Sequence, residues 1–183
     1  MASVLIPLAQ GCEELEAVTL IDLLRRAKIN VVTASLDGEP VVASRGTVLI
    51  ADVTLNEALK HEYDMVVLPG GQPGSDNLNA DSRVHTLLKK MANSGKYTAA
   101  ICAAPKVLAT AGLLTGKRVT GFPGVLDHMD LPTTHLHTDA VVQDGKVITS
   151  RGPGTAMDFA LTLIENLAGK EIRQSVESGL QRH

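Results

Sequence analysis

The sequence predicts an α/β domain built on a mostly parallel sheet with helices on both faces. Three observations carry that prediction. Short apolar runs of strand length alternate along the whole chain with amphipathic stretches of helix length. The runs Val4-Leu5-Ile6, Met65-Val66-Val67-Leu68 and Tyr97 to Ile101 lack the alternation of a half-exposed sheet, as strands buried on both faces do. Their ends meet glycine, proline or a cysteine-alanine step rather than a two-residue hairpin turn.

Taken in order, Val4-Leu5-Ile6 reads as the first strand. Leu15, Val18, Leu20, Ile21, Leu23 and Leu24 then supply one apolar helical face. Glu13, Glu14 and Glu16 lie at the start of that helix and Arg25 and Arg26 at its end, the charge order that the helix dipole favours. Asn30 to Ser35 returns as a strand, and Asp37-Gly38 turns the chain. Val41–Ala43 and Thr47–Ile50 read as short extended pieces around Ser44-Arg45-Gly46, and Leu55–Lys60 as a short helix. Met65–Leu68 is a strand ending at Pro69-Gly70-Gly71. Val84–Ala92 is a helix, Tyr97–Ile101 a strand ending at Cys102, and Ala103–Ala111 a helix closed by Gly112. Ala140–Thr149 reads as a hairpin about Asp144-Gly145. Gly152-Pro153-Gly154 opens the last long helix, Thr155–Leu167, which Gly169 closes. No repeat or linker interrupts this pattern, so residues 1–183 are read as one domain, a size that can bury a core.

Composition excludes several function classes. Net charge is -3, without the basic stripe of a dedicated nucleic-acid surface. No apolar run is long enough to span a bilayer, so no membrane role is expected. There is no Trp, and aromatics are 2%, which leaves no aromatic platform for sugars or bases. Two cysteines, Cys12 and Cys102, make no disulfide framework and point to the reducing cytoplasm.

In a sheet of this kind function sits beyond the carboxyl ends of the strands. Cys102 lies where a strand passes directly into a helix, with Ala103 beside it. That is the architecture of a nucleophile elbow with sulfur in place of oxygen. A helix N-terminus there would favour the thiolate. Read blandly, Cys102 is a buried structural cysteine. Gly70 and Gly71 suit backbone N–H groups turned toward an oxyanion. Their spacing matches neither a dinucleotide fingerprint nor a P-loop, and a plain strand-terminating turn is the bland alternative. Two of the three early glutamates should serve as helix-start charges, and one could act as general acid and base if burial raises its pKa. Of the six histidines, His135 and His137 alone have a ligand-like spacing, and no third ligand accompanies them, so no metal is expected.

Gly11-x-Glu13-Glu14-x-Glu16, Ser44-Arg45, Leu68-Pro69-Gly70-Gly71, Ala100-Ile101-Cys102-Ala103, Thr120-Gly121-Phe122-Pro123 and Ser150-Arg151-Gly152-Pro153-Gly154-Thr155, in that order, resemble the ThiJ/PfpI superfamily. The branch they resemble is that of the Parkinson-disease-associated protein deglycase and its bacterial YajL-like members. The similarity runs from the first strand to about Gly169. It implies a flavodoxin-like three-layer sandwich, akin to class I glutamine amidotransferases, and a homodimer. It implies that Cys102 is the nucleophile and Glu16 the buried carboxyl beside it. Gly70, Gly71 and Ala103 would line the oxyanion side, and Arg45 and Arg151 an anion-friendly rim.

Three positions depart from the wider superfamily, one of them Cys12, where relatives often carry a small residue such as Ser or Ala. Ala103 stands where many members have His, which removes a Cys-His protease pair, and Phe122 stands where other close relatives have His. The activity implied is a cofactor-independent, cysteine-dependent deglycase or glyoxalase. It would act on methylglyoxal and glyoxal, or on their early adducts with amines and thiols, and release lactate or glycolate under carbonyl and oxidative stress. The alternative is a redox-sensing chaperone whose Cys102 is oxidised to a sulfinate. Cys12, four residues before Glu16, is a candidate resolving thiol for Cys102, against the plainer reading that it only packs.

Overall fold

The computed structural model describes residues 1–182. The strands are β1 (Ser3–Leu8), β2 (Asn30–Ser35), β3 (Val41–Val42), β4 (Val48–Leu49), β5 (Val53–Thr54), β6 (Met65–Leu68), β7 (Tyr97–Ile101), β8 (Arg118–Val119), β9 (His135–Leu136), β10 (Val141–Asp144) and β11 (Val147–Ser150). The helices are α1 (Glu14–Arg26), α2 (Leu55–Ala58), α3 (Gln72–Ala80), α4 (Ser82–Asn93), α5 (Pro105–Thr110), α6 (Ala156–Ala168) and α7 (Lys170–Gly179), with a 3-10 turn at Pro153–Thr155 before α6.

Seven strands form the central sheet in the order β10-β11-β7-β6-β1-β2-β5. Every pairing in it is parallel except β10 with β11, the expected hairpin on one edge. The period-two geometry of a strand divides the core into two halves. Val4, Ile6, Leu8, Met65, Val67 and Ile101 point into one cluster with α1 and α6. Leu5, Val66, Leu68 and Ala100 point into the other with α2, α4 and α5. The result is the three-layer sandwich that the apolar runs predicted.

Four features differ from the sequence expectation. Residues 72–80 form a helix where the sequence reading placed no element. Proline in its first turn is tolerated, and Leu78, with the small Gly74 and Ser75, makes its buried face. A further helix, α7, follows Gly169. It buries only Val176, and ion pairs of Arg173 with Glu165 and Glu177 help to hold it, so the apolar periodicity was too weak to announce it. β8 and β9 form a separate parallel pair of two residues each, too short for any pattern to show. The helix after Cys102 starts at Pro105 rather than Ala103, because Cys102 itself adopts a left-handed conformation, φ 63°, and the chain must turn before it can coil.

The strand order reverses between β1 and β6, so the loops after these two strands diverge and leave a crevice at the carboxyl end of the sheet. α1 leaves β1 there, Pro69-Gly70-Gly71 leaves β6, and Cys102 leaves the neighbouring β7.

Candidate active site

Cys102 sits on the turn between β7 and α5, and its main chain is held from both sides. Its N–H donates to the Ser150 carbonyl at 3.0 Å, and its carbonyl accepts from the Phe122 N–H at 2.8 Å. These bonds fix a left-handed residue that is not glycine, a conformation costing roughly 1–2 kcal/mol. Strain of this kind is retained where the surrounding structure imposes it, often at functional sites. Cys102 is 8% exposed, so its side chain is reachable only at the crevice.

Glu16 enters from the first turn of α1 and is completely buried. Its Oε2 accepts the Gly70 N–H at 2.7 Å. Its Oε1 is buried with no hydrogen-bond partner of ordinary geometry, although the Cys102 thiol lies against the same carboxyl. Gly70 is required for this approach. A Cβ there would stand 2.6 Å from the Cys102 Cβ, 2.7 Å from Glu16 Oε2 and 2.8 Å from the Ile101 carbonyl oxygen. Gly71 follows with φ +86°, which opens α3 and turns its N–H toward the Cys102 sulfur.

The electrostatics follow from burial. Desolvation pushes the Glu16 carboxyl up to about 7, against hydrogen bonds from the Gly70 N–H and Cys102 and with the nearby Glu13 charge adding to the rise. Desolvation and then the Glu16 charge push the Cys102 thiol up to about 12, while the Gly71 and Ala103 N–H groups work to stabilise the thiolate. The expected lowering by a helix N-terminus does not prevail. The helix is only six residues long and starts three residues beyond the sulfur. The Glu16 charge thus makes a Cys102 thiolate costly, and at neutral pH the pair holds more proton than two solvated groups would. When that proton sits on Glu16, the charge opposing a thiolate is gone. Because Oε2 already accepts from Gly70, the proton belongs on the unpartnered Oε1.

Of the residues that the sequence singled out, Glu16, Gly70, Gly71, Cys102 and Ala103 come together. Arg151 follows Ser150, which binds the Cys102 N–H, and its Nη1 donates to the Thr138 carbonyl at 2.6 Å. Arg45 lies on the other side of α1. Its backbone N–H donates to both Glu14 carboxylate oxygens, at 3.0 and 3.1 Å, and its side chain is exposed. Cys12 is a buried free thiol, pushed up to about 11 by desolvation and then by the Glu14 charge. Its main chain lies beside the backbone of Gly74. Among the described residues no group of three or more His, Cys, Asp or Glu side chains forms a metal cluster, and His135 and His137 are simply part of, or next to, β9. Ser150 and Phe122 also tie the site together, both through main-chain atoms, and the sequence marked them only as members of the motifs that carry the family resemblance.

The chain as a whole is similar to known proteins over nearly its full length. Residues 2–166 match the DJ-1/PfpI family. The chain belongs to the DJ-1/PfpI family. Protein dj-1beta of Drosophila melanogaster is 44% identical over 179 residues, 97% of this chain and 96% of that protein. Its crystal structure superposes with a TM-score of 0.93 over 98% of this chain and 97% of the other. Protein DJ-1 homolog B of Arabidopsis thaliana is 47% identical over 92% of this chain, which spans only 38% of that longer protein. A Caenorhabditis elegans relative, 37% identical over 96% of this chain and 92% of its own length, is named glutathione-independent glyoxalase DJR-1.2.

Proposed function

We propose that the protein is a cofactor-independent, cysteine-dependent glyoxalase and deglycase acting on methylglyoxal, glyoxal or their early adducts. The observation that carries this reading is the unpartnered, protonatable Oε1 of Glu16 beside a thiol in a buried crevice. Such a pair can add to an aldehyde and protonate the resulting oxygen without any imidazole.

The Cys102 thiolate forms a C–S bond to the aldehyde carbon, and the developing alkoxide takes the proton from Glu16. The Gly71 and Ala103 N–H groups, which favour the thiolate in the resting site, lie where they can also face that oxygen. Glu16, now a carboxylate, removes the hydrogen from the former aldehyde carbon and returns it to the adjacent carbon, while the hydroxyl proton on the first oxygen passes to the oxygen of that adjacent carbon. The adduct thereby becomes a thioester. Water cleaves the C–S bond and releases lactate from methylglyoxal or glycolate from glyoxal, restoring the thiolate. Atoms balance as aldehyde plus water to hydroxy acid, and no external oxidant is needed. The relative named as a glyoxalase supports the reaction class.

The same donor would hydrogen-bond a sulfinate on Cys102, which supports redox sensing with client protection as a second reading. Lactate formation from methylglyoxal, measured beside suppression of client aggregation, separates the two. The first reading expects lactate from the wild type and none from Cys102→Ala. Aggregation suppression dependent on Cys102 without lactate would favour the second.

We also propose that the protein is a cytoplasmic homodimer. Leu15 and Val18 of α1 and Val42, Val48 and Ile50 of the β3–β4 hairpin are all exposed, and Glu14 ties helix and hairpin together through Ser44, Arg45 and Thr47. Exposed apolar side chains on two elements tied together in this way suit burial against a second copy. Light scattering should give twice the chain mass, and a monomer at all concentrations would refute it.

A further inference from the structure

Beside Cys102 lies a groove of about 280 Å³ between the 120–127 loop and the segment 136–138, with Arg151 on its wall. Cys102 and Glu16 do not line it, but two main-chain bonds fix it against the nucleophile. Phe122 binds the Cys102 carbonyl, and Arg151 directly follows the Ser150 that binds the Cys102 N–H. We infer that this groove seats the substituent on the substrate's reacting carbonyl, and that it selects an aryl α-oxoaldehyde carrying a distal carboxylate over methylglyoxal. The inference rests on the aldehyde chemistry proposed above and names its substrate class.

The walls supply the chemistry of that substituent. The Phe122 ring lies against Gly152 and remains 48% exposed, and Leu136 across the groove is 45% exposed, above a buried Leu126. Two half-bare apolar side chains facing one cleft favour a flat apolar body, since a planar ring can stack on Phe122. A methyl group would leave most of the volume empty. Arg151 supplies a charge. Its one side-chain hydrogen bond goes to the neutral Thr138 carbonyl, and among the described residues it makes no ion pair. The remaining guanidinium N–H groups can take a carboxylate in two parallel bonds. The Asp127 carboxylate and the His137 imidazole also line the groove. Asp127 accepts the Gly124 N–H at 2.8 Å and so closes its own turn, and His137 Nδ1 stands 3.7 Å from Asp139.

The test compares kcat/KM for methylglyoxal, phenylglyoxal and 4-carboxyphenylglyoxal, with the hydroxy acids separated chromatographically. Each is formed by the same aldehyde-plus-water balance. The wild type should prefer 4-carboxyphenylglyoxal over methylglyoxal by about tenfold or more, the scale on which a filled apolar pocket discriminates. Phe122→Ala and Leu136→Ala should each lower the aryl-to-methyl ratio by about fivefold, within that same scale. Both side chains are half exposed, so unchanged melting temperatures should accompany the shift. Arg151→Gln should bring 4-carboxyphenylglyoxal down to the level of phenylglyoxal. Turnover of methylglyoxal with an aryl-to-methyl ratio near one, or a ratio that neither apolar variant alters, overturns the groove assignment and leaves the glyoxalase reading standing. No turnover of any of the three aldehydes overturns both.

Discussion

Glu14 and Glu16 are two residues apart on one helix turn, and the protein treats them in opposite ways. Glu14 faces the β3–β4 hairpin. Against a desolvation cost, its own N–H, the Arg45 N–H, the Ser44 hydroxyl and the Thr47 N–H hold its carboxyl down at about 2. Glu16 faces the crevice with one N–H donor and one thiol, completely buried, and burial holds its carboxyl up at about 7. The same side chain is thus a structural anion on one face of the helix and a proton store on the other. What differs is the number of donors and the access of solvent, since both share the same helix dipole. The hairpin face is built to keep a charge, and the crevice face is built to refuse one.

The largest effect should come from exchanging the two faces' roles by mutation. Glu16→Gln should cut lactate formation by about 10²–10⁴-fold, the usual weight of a general acid–base, whereas Glu14→Gln should keep most of it. Equal losses in the two variants would show that the helix start, and not the crevice, governs activity. Gly70→Ala attacks the crevice by volume alone. With its Cβ under 3 Å from three atoms, it should lose about 3 kcal/mol in chemical denaturation, the upper range for overpacking, and a loss below 1 kcal/mol would deny the tight fit.

The pH dependence sharpens the contrast because the two signs are opposite. Folding raises the Glu16 pKa from 4.5 to about 7, so the native state keeps a proton that the unfolded chain releases in this interval. Stability should therefore fall by about 3 kcal/mol as pH rises from about 4.5 to 7 and change little on this account above it. Glu16→Gln should flatten that fall and be more stable than the wild type at pH 8. Folding lowers the Glu14 pKa from 4.5 to about 2, so its contribution is complete above 4.5 and is lost as pH falls toward 2. A stability curve for Glu16→Gln that keeps the wild-type fall between pH 4.5 and 7 would place the proton elsewhere. The smallest effect is local. Glu14→Gln should speed hydrogen exchange of the Arg45 and Thr47 amides severalfold and leave that of Gly70 unchanged.

The sheet was legible because its strands are buried on both faces, and apolar runs such as Met65–Leu68 leave little other choice. The elements that escaped were held by something other than apolar periodicity: α3 by proline and small residues at a close approach, α7 by arginine ion pairs. At the site, Cys102, Gly70 and Gly71 were readable from their place at strand ends. The choice of Glu16 among three glutamates came from family resemblance, because helical spacing alone leaves Glu13 and Glu16 near one face. The thiol's environment was misjudged. Sequence shows the helix that follows Cys102, but it does not show the left-handed turn that delays that helix or the carboxyl pressed against the sulfur.

The loops that follow β1 and β6 are stitched together by main-chain bonds, Glu13 N–H to the Gly70 carbonyl at 2.9 Å and Gly74 N–H to the Gly11 carbonyl at 3.1 Å. Backbone joined to backbone leaves no side chain that could rotate aside, so this wall of the crevice cannot serve as a door. The opposite bank is tied less tightly: the 121–124 turn binds the Cys102 main chain through one hydrogen bond, and Gly124 has open space around it. In the reaction proposed above, the reacting carbon would then arrive with its small end toward the glycines and its substituent toward the 121–124 side. An aldehyde still attached to a larger molecule would, in that proposal, reach the sulfur with its attachment trailing outward there.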